Sequence, residues 1–184
     1  MPPWIERVVQ RIEPYGEWEQ LGLPDETMSA LRRVSDEMQE RLDDARGKNG
    51  SKSKGRPRTG VLATFTGPNR QDKLRAAQVI AKELKMNLFR MDLALVVSEK
   101  VEETERTMGR LLDAADVAGG VLFLDDADQL FAKDEAGADV DKGIGYLLKR
   151  AGRYEDLAIL SVTDKASMDL VHQRKLRLTA DFPA

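Results

Sequence analysis

Residues 61–81 read VLATFTGPNRQDKLRAAQVIA. A short apolar run meets Gly67-Pro68, a polar stretch follows, and Lys73 leads into a helical pattern. Strand, loop, lysine and helix in that order form the layout of a phosphate-binding loop, in which backbone N–H groups and one ammonium surround phosphate oxygens. The cradle would run over Gly67, Pro68, Asn69, Arg70, Gln71, Asp72, Lys73 and Leu74. Some fifty residues on, VLFLDD ends an apolar run in Asp125 and Asp126. A carboxylate at such a strand end can organise the hydration shell of Mg²⁺, and the next acid can orient an attacking water. Each feature alone is common. In this order and at this separation they point to nucleotide chemistry.

The same stretch argues against that chemistry. Arg70 and Asp72 stand where a phosphate loop wants glycine, whose lack of a side chain lets the backbone wrap an anion. Asp72 would place a carboxylate beside the triphosphate. Two like charges 4 Å apart cost about 4 kcal/mol at an effective dielectric of 20. Leu74 stands where a hydroxyl would ligate Mg²⁺.

Composition bounds the alternatives. The 184 residues contain no cysteine and one histidine, His172, so disulfides, thiolate sites and histidine metal clusters are excluded. The net charge of −3 argues against a wholly basic nucleic-acid binder, though not against a local patch. No apolar run approaches the ~20 residues of a membrane span. The charged start MPPWIERVVQRIE lacks the apolar core of an export signal. A cytoplasmic protein without membrane association is expected.

Three parts must position the candidate site. Residues 1–45 read as a helical N-terminal segment. Trp4, Ile5, Val8, Val9 and Ile12 share a helical face that Pro14 ends. Met28, Leu31, Val34, Met38 and Leu42 form the stripe of a second helix with Asp25 as its cap. That stripe packs either on the following domain or on a partner. Residues 46–58, RGKNGSKSKGRPR, are a basic flexible linker, either solvated or touching polyanions. Residues 59–184 alternate strands and helices. The strands are expected at 61–66, 88–92, 121–125, 157–162 and 176–181, with helices over KLRAAQVIAKELK, VEETERTMGRLLDAADVAGG, GIGYLLKRAGRYE and ASMDLVHQRK. Alternation of this kind predicts an α/β fold with a mainly parallel five-stranded sheet in a three-layer sandwich, and ligands beyond the carboxyl ends of the strands.

The segments GPNRQDKL, DLALVVSEKVEETERTM, LDDADQLFAKD, YLLKRAGRYEDLAILSVTD and RKLRLTADFP, in this order, resemble AAA-type (AAA+) ATPases. They are similar to the bacterial subgroup associated with contractile injection systems. The resemblance implies a P-loop NTPase-like core, with ATP and magnesium as cofactors. It places Asp125 at the metal-organising acid, Asp126 at the water-activating position and Thr163 at the sensor position. Arg174 and Arg177 match the arginines presented to a neighbouring subunit, although two surface cations would look the same. Lys100 stands where that family's pore loop carries an aromatic. The given sequence stops at DFPA, where the family's core finishes, so a core without the C-terminal helical lid is expected.

Three readings follow. The first is a degenerate AAA-type protein, impaired in hydrolysis, serving as an interaction or regulatory module for protein partners, either an active homologue or itself. The second is a weak ATP-binding ATPase or chaperone-like remodelling factor that still uses Lys73 and Asp125. The third is a nucleic-acid adaptor working through the basic linker.

Overall fold

The computed structural model describes residues 3–47, 60–133, 136, 139–164 and 176–184. Most of the basic linker, the helix expected over ASMDLVHQRK, His172 and Arg174 lie outside the described residues.

All five expected strands are present: β2 (Val61–Thr66), β3 (Leu88–Asp92), β4 (Val121–Asp125), β7 (Leu157–Val162) and β8 (Leu178–Asp181). They run parallel in the order β3-β4-β7-β2-β8. A sixth strand, β1 (Val9–Ile12), joins the outer edge of β3 in antiparallel pairing, Val9 opposite Met91 and Ile12 opposite Leu88. This corrects the sequence reading, which ran one helix through residue 12. Helix α1 is only Pro3–Val8. Val8, Val9 and Ile12 are β-branched and suit a pleated surface, and the free edge of β3 offers backbone partners that a short exposed helix cannot match. A small hairpin, β5 (Phe131–Lys133) with β6 (Asp139–Asp141), was also not foreseen.

Side-chain alternation along the strands divides the interior into two cores, one on each face of the sheet. Val121 and Phe123 of β4 join Ala63, Phe65 and Ile159 under α2 (Asp25–Ala45) and α3 (Arg70–Leu84). Leu122 and Leu124 join Ala158 and Leu160 under α4 (Val101–Ala118) and α5 (Ile144–Ala151). The result is a three-layer arrangement. The stripe of α2 goes inward: Leu31, Val34 and Met38 are fully buried, which settles its packing on the domain. Asp25 is the first residue of that helix and Pro24 its cap, one position earlier than expected. Asp25 and Glu26 in the first turn still suit the positive end of the helix dipole.

Candidate nucleotide site

The parallel strands direct their carboxyl ends to one side of the molecule, and the expected site residues gather there. Gly67 follows β2, Asp125 ends β4, and β7 runs between them. Its Val162 carbonyl accepts from Gly67 N at 3.1 Å, fixing the start of the loop.

The loop is short. Helix α3 begins at Arg70, so only Gly67, Pro68 and Asn69 separate it from β2. Asn69 is its N-cap, and the side chain accepts from Asp72 N at 3.1 Å. The physical reason lies in the residues. Glycine disfavours a helix by about 1 kcal/mol relative to alanine, and neither Arg70 nor Asp72 carries that full penalty. With a good cap at Asn69, the helix grows back over positions that an open cradle would hold extended. Arg70, Gln71 and Asp72 then have helical backbones, and the Asp72 N–H is already bound.

Lys73 points inward. It is only 2% exposed, and its ammonium donates to Gly67 O at 2.7 Å and Val162 O at 2.9 Å. Burial pushes its pKa below the usual lysine range, against the pull of Asp128 and Asp125. Leu74 is half-buried and packs against the core under α3, with no oxygen to offer a metal.

Asp125 is 3% exposed and is held by two guanidiniums. Arg70 reaches across from α3, with Nη2 3.0 Å from Oδ2 and Nε 3.3 Å from both oxygens. Arg90 comes from β3, with Nε 2.8 Å and Nη2 2.6 Å from Oδ2. Burial alone would raise the Asp125 pKa. The hydrogen bonds and charges of Arg70 and Arg90 outweigh it and hold the carboxyl below the usual range. The hydrogen bond to Asp125 in turn raises the Arg70 pKa. Arg70 Nη2 also lies 3.2 Å from Asp126 Oδ2. Asp126 turns the chain at the strand end with φ +56°, a left-handed conformation that aspartate, like asparagine, adopts more readily than most non-glycine residues.

Thr163 follows β7 on the same side. It is exposed, and its N–H donates to both carboxylate oxygens of Asp128, at 3.0 and 2.9 Å. Arg177 stands apart. It precedes β8, whose Leu178 pairs with Ala63 and Asp181 with Thr66. Arg177 therefore lies at the amino end of the strand, level with Leu62 and about 17 Å from Gly67 at 3.3 Å per residue. The structure brings together Gly67 to Lys73, Asp125, Asp126 and Thr163, and leaves Arg177 outside.

Two members of the site were missed from sequence. Arg90 sits in NLFRMDL, and a cation in the middle of a buried strand requires a counter-charge, a signal that was readable. Asp128 carried no such signal. Gly67 also has a second reason for its type. A Cβ there would lie 2.0 Å from Phe182 O, because the chain leaving β8 passes against it. Phe182 N donates to Thr66 O at 2.7 Å and its ring packs on Phe65.

The arrangement does not fit magnesium with nucleotide phosphates as it stands. Asp125, expected to organise a metal, is bound on both oxygens, Lys73 is turned to carbonyls, and the Leu74 side chain has no oxygen to offer. Among the described residues no group of three or more His, Cys, Asp or Glu side chains is placed to hold a metal ion.

A parallel sheet with a strand-to-helix turn after β2 and an acid pair ending β4 defines a P-loop NTPase-like fold. The model of the ATPase family associated with various cellular activities (AAA) matches residues 63–178, and the chain belongs to that family. Among solved structures, it superposes with TM-score 0.65 on a chain of the E. coli MS115-1 HORMA:CdnC:Trip13 complex. The identity is 15%, covering 99% of this chain and 72% of that one. The FIGL-1 AAA domain gives TM-score 0.60 at 14% identity, covering 96% of this chain and 57% of that one. No curated protein matches the chain. Among the described residues no helix is long and apolar enough to cross a membrane.

Proposed function

We propose that this chain is an AAA-fold interaction or regulatory module that does not depend on ATP turnover and works beside an intact family member, in the cytoplasm. The observation that carries this reading is that the chain's own groups take up the phosphate-binding positions. Helix α3 replaces most of the loop, Lys73 is bound to two carbonyls, and Arg70 covers Asp125 and Asp126. Hydrogen bonds to charged groups are worth about 1.5–3 kcal/mol each, so phosphate must offset roughly twice that merely to turn Lys73 outward. Asp126, the position implied for activating water, is tied to Arg70 and is a methylene shorter than glutamate.

The structural neighbour in a complex with HORMA and CdnC proteins supports a role played among other proteins. The resemblance to the subgroup associated with contractile injection systems names one setting for it. Arg177, exposed and outside the chain's own site, suits presentation to a neighbouring subunit; Arg174 joins it on the resemblance alone. Where a GTPase receives an arginine in trans, the gain is ~10³–10⁵ in rate.

Calorimetry with Mg-ATP tests the reading. No heat of binding is expected for the wild type at micromolar nucleotide, and binding there would overturn it. Arg70→Gly with Asp72→Gly and Leu74→Thr is expected to restore affinity. Mixing the protein with an active family member and measuring phosphate release tests the arginines: stimulation is expected, and Arg174→Ala with Arg177→Ala abolishes it.

A further inference from the structure

We propose that Arg70 is a built-in cation, its guanidinium standing where a divalent metal would serve Asp125 and Asp126, so that the strand-end site excludes metal for as long as Arg70 is present. The inference deepens the preceding reading and rests on its view that the site is filled from within.

Two adjacent carboxylates end β4, and the first is almost fully buried. A buried carboxylate must be met by positive charge or hydrogen-bond donors. A metal with its water shell is one solution, and this chain has another. Arg70 places Nε and Nη2 on Asp125 and shares Nη2 with Asp126 Oδ2, so a single group spans both acids. The planar fork of a guanidinium suits carboxylate oxygens, whereas an ammonium is a point charge. The available ammonium, Lys73, is committed to Gly67 O and Val162 O. Arg90 supplies the second guanidinium, and Gln10 of β1 accepts from its Nη1 at 3.2 Å. Asp92 also faces Arg90, 3.9 Å from its Nη2, so three carboxylates meet two guanidiniums, with the Lys73 ammonium nearby. The cluster is close to neutral before any metal arrives, and a divalent ion would enter against two fixed positive groups. Arg70 can do this because it occupies the first turn of α3. The residue that removes glycine from the loop also delivers the charge.

The roles of the two arginines differ. Arg90 has a side chain 22% exposed and is built into the sheet. Arg70 has a side chain 52% exposed and lies over the outer face of the acids. Removing Arg70 opens a path to Asp125 and Asp126 while leaving Arg90 to hold Asp125 in place.

The test is binding of Mn²⁺ alone, without nucleotide, followed by loss of the free-ion paramagnetic resonance signal on the full chain. The wild type and Arg70→Lys are expected to take up no Mn²⁺ at millimolar concentration. Arg70→Ala and Arg70→Gln are expected to bind one ion about 10- to 100-fold more tightly than the wild type, the weight of one screened unit charge at close range. Adding Asp125→Asn to either neutral variant removes the gain. Two neutral variants are used so that the result does not hang on one of them folding. Mn²⁺ uptake by the wild type, or no gain in the neutral variants, overturns the proposal. Mg-ATP calorimetry on the wild type fails separately: nucleotide binding without Mn²⁺ uptake would end the preceding reading and leave this one standing.

Discussion

Each end of the sheet holds a buried carboxylate, and the two are satisfied by different means. At the carboxyl end, Asp125 meets the guanidiniums of Arg70 and Arg90. At the amino end, Asp156, just before β7 and 6% exposed, accepts from the backbone N–H of Gly120 at 2.6 Å. The turn around it is tightly stitched. Tyr154 donates to Gly120 O at 2.6 Å, Val61 N to Asp156 O at 3.0 Å, and a Cβ on Gly60 would lie 2.0 Å from Tyr154 O. Backbone donors are fixed once the strands are paired, so Asp156 belongs to the scaffold. Guanidiniums sit on side chains that can be exchanged without moving the chain. A carboxylate held by them marks a place where one chemistry can replace another while the fold stays intact.

The contrast can be broken at its rigid end first. Asp156→Ala removes a charged acceptor from a buried N–H and is expected to cost about 1.5–3 kcal/mol. For a chain of this length that lowers Tm by roughly 3–12 °C, read by calorimetry. An unchanged Tm would show that the turn holds itself without the carboxylate.

Arg90→Met should cost less. Breaking a buried pair outright costs about 3–5 kcal/mol, but Arg70 still faces Asp125, so about 1–2 kcal/mol is expected. The pH dependence sharpens this. The Asp125 pKa is depressed in the folded state, so its contribution is fully present above the unfolded value of about 3.9 and is lost as pH falls through the lower folded value. Urea midpoints should therefore drop below pH 4 in the wild type. The fall should be shallower in Arg90→Met, and shallower still in Asp125→Asn. Identical acid limbs in all three would remove Asp125 from the account.

The smallest effect is expected at Lys73. Lys73→Met exchanges a buried ammonium and two hydrogen bonds for an apolar chain of similar length, and stability at pH 7 should change by less than about 1 kcal/mol. Because burial lowers the folded pKa of Lys73, the unfolded state binds more protons between that value and about 10.4, and wild-type stability gains from this group as pH rises through the window. Difference curves against Lys73→Met should show that rise. A large loss at pH 7 would mean that the lysine supports the loop more strongly than its two carbonyl bonds imply.

The sheet was legible because its signals are local. VLFLD and LAILSV are bounded apolar runs, and both are fully buried strands. The gathering of Gly67, Lys73 and Asp125 also followed from strand order in a parallel sheet. Residues 9–12 misled because helix and strand share β-branched residues, and the deciding partner lies far along the chain in β3. The start of α3 was read at Lys73, although Asn69 was a readable cap. The Arg70 contact was not readable, since it depends on how far a side chain reaches from one element to another.

The placement of β1 has a consequence for the order in which the molecule assembles. Val9 is made early, yet its partner Met91 appears about eighty residues later. Docking β1 therefore closes a long loop and gains only four residue pairs of ladder. Contacts so distant in sequence form slowly. Until that happens, the outer backbone of β3 is an open template with Leu88 and Met91 beside it, and a second chain can pair there as readily as the first. Refolding yield should then fall with protein concentration, because the last strand to dock competes with its neighbours' copies.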